Sequence, residues 1–134
     1  MAPPDPPRVE VTPDGYTPGP EAGQWRVAWR MLNLEEEPLR LLDAHSPHHG
    51  FRSELIPLAD VVPPGSSARI ELAIAHQQRA PSIIDNAFLI VRLARGDEEW
   101  RVFYRLAITF GPNGEPENSG VVTGVHPVGF SQTA

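Results

Sequence analysis

The stretch WRVFYRLAITF, residues 100–110, alternates apolar and polar side chains with a period of two. Successive side chains of a β-strand point to opposite faces of the sheet, so this pattern predicts a strand with one buried face. A chain that carries such strands has to bury those faces against a second layer. We expect the buried face to consist of alternate residues, namely Trp100, Val102, Tyr104, Leu106, Ile108 and Phe110.

Other segments repeat the pattern. WRVAWRM, residues 25–31, and RIELAIA, residues 69–75, alternate in the same way, and AFLIVRLA, residues 87–94, is nearly all apolar, as is typical of a central strand covered on both faces. Turn signals recur at roughly ten-residue spacing, and no window has the apolar spacing of a confident helix. The sequence therefore predicts an all-β fold, an antiparallel two-sheet sandwich of about 7–8 strands.

Proline divides the chain into two parts. Seven of the sixteen prolines fall within the first twenty residues, where they fix φ and remove backbone donors. We predict a proline-rich extended arm over residues 1–22, in which RVEVT, residues 8–12, could form a short edge strand. Residues 23–134 are predicted to form a single β-sandwich domain, because a chain of 134 residues closes one core and is too short for two ordinary ones.

The segment WRVAWRMLNLEEEPLRL, residues 25–41, resembles bacterial immunoglobulin-like β-sandwich domains of uncharacterised function. It shares with them an alternating strand, an asparagine at the turn, acidic residues, and then a proline followed by a second apolar strand. The resemblance extends over about residues 23–110 and implies an immunoglobulin-like sandwich. The paired cysteines of antibody domains are absent, so it implies a fold and no particular function.

Charge and composition narrow the classes of partner. The net charge of −6 and the pI near 5.3 argue against nucleic acid or an anionic membrane as the main partner, since both need a basic field on the protein. The absence of cysteine excludes disulfides, zinc–thiolate sites and cysteine nucleophiles. No apolar run reaches the ~18 residues of a membrane span, and no signal-peptide pattern is present, so we expect a cytoplasmic protein.

A histidine-rich stretch, AHSPHHG at residues 44–50, gives a first candidate site. His45, His48 and His49 lie within five positions in a chain with five histidines. Neutral imidazole is a common ligand of divalent metals, and a site needs three or four converging ligands. One hypothesis is therefore a metal site that a distant ligand completes, and the alternative is a polar turn whose histidines are exposed or cap backbone groups.

A second candidate is an arginine-rich face. All eleven basic residues are arginines, and several fall on the predicted outward faces of three strands. If those strands are neighbours, they form a face that could hold an anionic ligand or an acidic protein segment. The alternative is cross-strand ion pairing with glutamates. The residues of this predicted face are Arg26, Arg30, Arg92, Arg101, Phe103 and Arg105.

No catalytic signature was found: the chain has neither a GxSxG motif nor any lysine. The leading hypothesis is a non-catalytic binding or protein-interaction module whose partner is an unknown protein or a small anionic ligand, with no resident cofactor. The alternatives are the histidine-based divalent metal site and an intracellular proteinase-inhibitor-like domain that presents the loop GPNGEPENSG, residues 111–120. A homodimer formed by edge pairing or through a sheet face is a further expectation.

Overall fold

A computed structural model describes residues 4–76 and 82–128. Its strands form two antiparallel sheets. Sheet A has the order β1 (Val9–Pro18), β2 (Gln24–Asn33), β8 (Ser67–Ala75), β5 (Phe51–Arg52) and β4 (Pro47–His48). Sheet B has the order β11 (Pro116–Pro127), β10 (Glu98–Phe110), β9 (Ser82–Arg95), β3 (Leu39–His45) and β6 (Ile56–Pro57), and β7 (Val61–Val62) also pairs with β3.

The predicted all-β sandwich is confirmed. Seven of the described strands have seven residues or more, and four have only two. The two-residue strands lie between residues 47 and 62, where GFRSELIPL, residues 50–58, looks like one strand in the sequence. In the structure this segment leaves sheet A after Arg52 and joins sheet B at Ile56. No helix in the described ranges is long and apolar enough to cross a membrane.

The core lies between the sheets and consists of the alternate residues that the sequence predicts. All six predicted inward residues of β10 are buried, and so are those of β2 and β8. Trp29 is fully buried and packs edge-on against Phe51, with ring centroids 6.3 Å apart. Its indole Nε1 donates to Asn118 Oδ1 at 3.1 Å, so the one polar atom of this ring is satisfied inside the sandwich.

The central position predicted for AFLIVRLA is also found, since β9 lies between β10 and β3. Its inward side chains, such as Leu89 and Val91, are buried. Its outward side chains Phe88, Ile90 and Arg92 are only half-buried, so the outer face is covered in part. This partial cover leaves a depression on the outside of sheet B.

The predicted arm contributes a longer strand than RVEVT. Strand β1 has ten residues and pairs with β2 from Val9 to Pro18, which makes it the edge of sheet A. Its pairing shifts register between Pro13 and Tyr16, around Gly15 at a φ of 94°. An edge strand tolerates proline because one row of its amides needs no ladder partner. Tyr16 Oη donates to Glu117 Oε1 at 3.1 Å and joins this edge to β11.

An ionic cluster closes one end of the sandwich. Arg95 contacts Glu35 at 2.7 Å and Glu98 at 2.9 Å, and its guanidinium lies 5.6 Å from the centre of the Trp100 ring. Arg8 contacts the other oxygen of Glu35 at 2.9 Å. Burial alone would raise the pKa of Glu35, but the hydrogen bonds from Arg8 and Arg95 outweigh it and hold the pKa below its ordinary value.

The lowered pKa of Glu35 makes part of the stability depend on pH. The stabilising contribution is fully present above the ordinary pKa of 4.5 and is lost as the pH falls through the lower folded-state value. We expect Glu35→Gln to lower the free energy of unfolding at pH 7 and to differ much less from wild type near pH 2. Urea unfolding at both pH values measures this. Glu36→Gln, an exposed neighbour, is the matched control, and an equal loss in both variants would contradict the assignment.

Gly120 gives a second prediction about the core. It lies on β11 beside the buried Tyr104, and a Cβ at this position would overlap the Tyr104 hydroxyl. We expect Gly120→Ala to destabilise the fold by about 1–3 kcal/mol, as other overpacked cores show. Gly124→Ala on the same strand is the control, because its Cβ would meet only the imidazole of His126 at 3.3 Å. Thermal unfolding of both variants tests the difference, and equal midpoints would show that Tyr104 moves aside.

Candidate functional site

The structure splits the predicted arginine face between the two sheets. Arg26 and Arg30 lie on β2 in sheet A. The other four residues lie on β9 and β10 in sheet B, namely Arg92, Arg101, Phe103 and Arg105. The inner faces of the sheets meet in the core, so their outer faces lie on opposite sides of the molecule. One continuous six-residue face is therefore not formed.

Among the described residues of sheet A, ion pairing involves Arg30 but not Arg26. Arg30 stands directly opposite Arg69 in the β2–β8 register, and Asp14 accepts from both guanidinium groups at 3.2 Å and 3.0 Å. Arg69 also contacts Glu71 at 2.8 Å. Arg26 has no ion pair within residues 4–76 and 82–128 and borders a separate depression of about 220 Å³. The alternative of cross-strand ion pairing thus describes Arg30 well.

On sheet B, three neighbouring strands enclose a shallow cleft of about 270 Å³, which we call the face cleft. Each strand contributes a pair of side chains two positions apart, as residues on one face of a strand must be. Leu55, 57% exposed, lies at the border. The strand pairs are Asp43 and His45 on β3, Ile90 and Arg92 on β9, and Arg101 and Phe103 on β10.

The two arginines of the face cleft differ in their partners. Arg92 donates to Asp43 at 2.7 Å and 2.9 Å and to Glu99 at 2.8 Å, and the bonds to Asp43 above all raise its pKa. Arg101 is the register partner of Arg92 on the next strand and is exposed. Its side chain makes no ion pair or hydrogen bond in the described part of the chain. Arg101 therefore supplies the unpaired guanidinium of the face cleft.

The floor of the face cleft is apolar and aromatic. Ile90 and Phe103 are half-buried register partners on β9 and β10. Phe103 forms edge-on contacts with Phe88, at 6.3 Å between centroids, and with His126, at 5.4 Å. These three rings form an aromatic row across β9, β10 and β11. At the other wall lies His45, whose Nδ1 is buried and has no hydrogen-bond partner among the described residues.

Arg105 is placed away from this cleft. Its Nε donates to the carbonyl of Asp85 at 3.0 Å, and it does not border the face cleft. The Arg105 guanidinium therefore stabilises the backbone near the start of β9 through this hydrogen bond.

The hairpin that carries the histidines is held by two buried serines. The Ser46 amide donates to Ser53 Oγ at 2.9 Å, and the Ser53 amide donates to the Ser46 carbonyl at 2.9 Å. Ser46 Oγ donates to the Phe51 carbonyl at 2.9 Å. These bonds pair the polar groups of the two serines where the chain passes from β3 to β4, and they hold the base of the β4–β5 hairpin together.

The three histidines of the metal hypothesis are not brought together. His48 Nδ1 accepts from the Gly50 amide at 2.9 Å, so its Nε2 carries the proton and donates to Asn86 Oδ1 at 3.1 Å. His49 stacks on His48 with centroids 4.7 Å apart, whereas His45 belongs to the face cleft on sheet B. Across residues 4–76 and 82–128, no three His, Cys, Asp or Glu side chains converge on a metal position. His48 instead caps a backbone amide.

The loop proposed for proteinase inhibition is short and bound to the body. Residues 116–120 belong to β11, which leaves only 111–115 between strands. The Gly111 amide donates to the Glu115 carbonyl at 3.0 Å, and the Gly114 carbonyl accepts from His76 Nε2 at 2.8 Å. The chain therefore presents a tight turn here and no projecting loop.

No known protein family, curated protein or solved structure matches this chain.

Sequence reasoning named four of the seven residues around the face cleft but assigned them to two different hypotheses. It did not connect His45 with Arg92, Arg101 and Phe103, because β3, β9 and β10 are adjacent only in the folded sheet. Leu55 and Ile90 were missed as site residues, and Asp43 was considered only as one possible further ligand of the metal site. The signal that could have found Asp43 is its spacing of two from His45 on one strand face.

The difference between the two arginines can be tested by stability. Arg92→Ala leaves Asp43, 9% exposed, without its cation. Loss of one partner of a fully buried pair costs about 3–5 kcal/mol, and we expect about 1–2 kcal/mol here because the Arg92 side chain is 36% exposed. Arg101→Ala should change the free energy of unfolding by less than about 0.5 kcal/mol. Urea unfolding of both variants measures the two changes in the free energy of unfolding. A larger loss of stability for Arg101→Ala than for Arg92→Ala would contradict the assignment of Arg92 as the ion-paired arginine.

Proposed function

We propose that this chain is a non-catalytic binding module that recognises a carboxylate-bearing segment of another protein at the face cleft. The observation that carries the proposal is the unpaired guanidinium of Arg101 beside the apolar floor of Ile90 and Phe103. A ligand that offers one carboxylate and one apolar group would satisfy both features.

The chemistry of Arg101 favours a carboxylate. A guanidinium presents donors in a planar fork that matches the two oxygens of a carboxylate, and such charge-assisted pairs are the strong class of hydrogen bonds. The imidazole of His45 borders the cleft on the opposite wall. Arg92 supports the site by position, since its own charge is balanced by Asp43 and Glu99.

The size and surroundings of the cleft favour a protein segment over a free small molecule. About 270 Å³ lies slightly below the roughly 300–1,000 Å³ of small-molecule pockets and is enough for one anchoring side chain. The aromatic row continues the surface beyond the cleft, and aromatic residues with arginine are the residues enriched at interface centres. An extended acidic segment could contact both parts.

We also propose that the sandwich is of the immunoglobulin-like class and that the protein is cytoplasmic. An immunoglobulin-like sandwich of the bacterial type would present sheet faces and end loops to partners on a rigid core. A cytoplasmic location is consistent with the absence of cysteine.

A pair of synthetic peptides tests the proposal. Acetyl-Leu-Glu-Leu-Glu-amide is titrated into ¹⁵N-labelled protein, with acetyl-Leu-Gln-Leu-Gln-amide as the uncharged counterpart. We expect saturable shifts of the His45, Ile90 and Phe103 amides with the acidic peptide alone. Arg101→Gln should weaken binding about tenfold or more, since a hydrogen bond to a charged group contributes about 1.5–3 kcal/mol.

The matched control is Arg26→Gln. Arg26 is also exposed and without an ion pair in the described residues, but it lies on the opposite face of the sandwich. We expect its variant to bind the acidic peptide like wild type. Equal weakening by both variants would mean that only net charge matters, and the face cleft would then be rejected as the site.

A further inference from the structure

A second cleft lies at one end of the sandwich, on the side of sheet A. Its volume is about 570 Å³, and we call it the end cleft. The turn between β1 and β2, the β4–β5 hairpin and the end of β8 meet around it. The described residues that border it are Ala22, Gly23, Gln24, His49, Arg52, Ala75 and His76.

The side chains that border the end cleft are basic. Arg52, His49 and His76 are its ionisable residues, and no carboxylate is among the described residues that line it. Arg52 is exposed and has no ion pair in the ranges 4–76 and 82–128. Its register partner on β8 is Ala75, whose small side chain leaves the guanidinium room. In an acidic chain, a cleft lined in this way attracts anions.

The imidazoles of His49 and His76 are held in place by contacts outside the cleft. The His76 ring packs against Phe110 with centroids 4.3 Å apart, and its Nε2 donates to the Gly114 carbonyl. His49 stacks on His48, which is fixed by hydrogen bonds at both ring nitrogens. The ordering of these imidazoles is therefore complete before any ligand arrives, and this lowers the entropy cost of binding.

Gly23 brings backbone close to the cleft. Its φ is +80°, and a Cβ at this position would lie 2.9 Å from the carbonyl oxygen of His76. The His76 amide donates to the Gly23 carbonyl at 3.0 Å, which keeps the turn against the end of β8. This close approach fixes the β1–β2 turn, which forms one wall of the end cleft.

We propose that the end cleft binds a small phosphate monoester, with Arg52 as the main phosphate ligand and His49 as a second donor. Arginine is suited to phosphate oxygens because its fork can donate two parallel hydrogen bonds. The volume falls within the roughly 300–1,000 Å³ of small-molecule pockets, so it accommodates a phosphoryl group and a compact organic body. This site is separate from the face cleft and does not depend on the function proposed there.

Inorganic phosphate is the probe for the test. It is titrated into ¹⁵N-labelled full-length protein at constant ionic strength, and sodium acetate is titrated in parallel. We expect saturable shifts of the Gly23, Gln24 and Arg52 amides with phosphate and only weak, unsaturated shifts with acetate. Arg52→Gln should weaken phosphate binding about tenfold or more, as loss of a charge-assisted pair does. His49→Gln should weaken it to a smaller extent.

Arg40→Gln is the matched control. Arg40 is exposed on β3, has no ion pair in the part of the chain that the structure describes, and changes the net charge equally. We expect it to bind phosphate like wild type. Thermal unfolding of each variant verifies that it is folded. The proposal is overturned if the shifts do not saturate, if Arg52→Gln and Arg40→Gln weaken binding equally, or if phosphate shifts the face-cleft amides of His45 and Ile90 instead.

Discussion

The alternation of side chains along β10, and along β9 from Ala87 to Leu93, is the constraint on which the rest of the structure depends. These long strands direct one set of residues into the core, where Leu89 and Trp100 are buried. The residues between them, such as Ile90 and Arg101, are necessarily presented together on the outside of sheet B. The same alternation therefore forms the core from the inward residues and the face cleft from the outward ones. The face cleft is complete once β3 lies beside β9.

Ion pairing then determines which arginines remain available. The chain has more carboxylates than basic residues, yet only five of its ten described arginines pair with one, namely Arg8, Arg30, Arg69, Arg92 and Arg95. Arg95 is the extreme case, since its side chain is 10% exposed and contacts three glutamates and a tryptophan. Arg26, Arg52 and Arg101 belong to the unpaired half, since each borders a cleft or depression and lacks an ion pair among the described residues. Partner geometry thus separates structural arginines from candidate ligands in a way that composition does not.

The sequence was sufficient to predict the fold class and the inward face of β10, because period-two burial is a local property. It was also sufficient to name Arg101, Phe103 and His45 as candidate site residues. It could not place them in one cleft, since strand order depends on contacts between distant segments. The path of the segment around Phe51 could not be predicted for a related reason, because the sequence there looks like one strand. It changes sheets within a few residues, and no local pattern encodes that crossing.

The contact between the edge strands β1 and β11, which we call the seam, has a consequence for the conformational entropy of folding. Tyr16 and Glu117, which join these two edges, are 101 residues apart, so their contact closes almost the whole described chain into a loop. Closing a flexible loop of that length in an unfolded chain costs roughly 4 kcal/mol beyond a constant, far more than one exposed hydrogen bond returns. The seam is favourable only after the intervening strands have brought the two edges close together. It therefore belongs to the cooperative unit and cannot serve as its starting point.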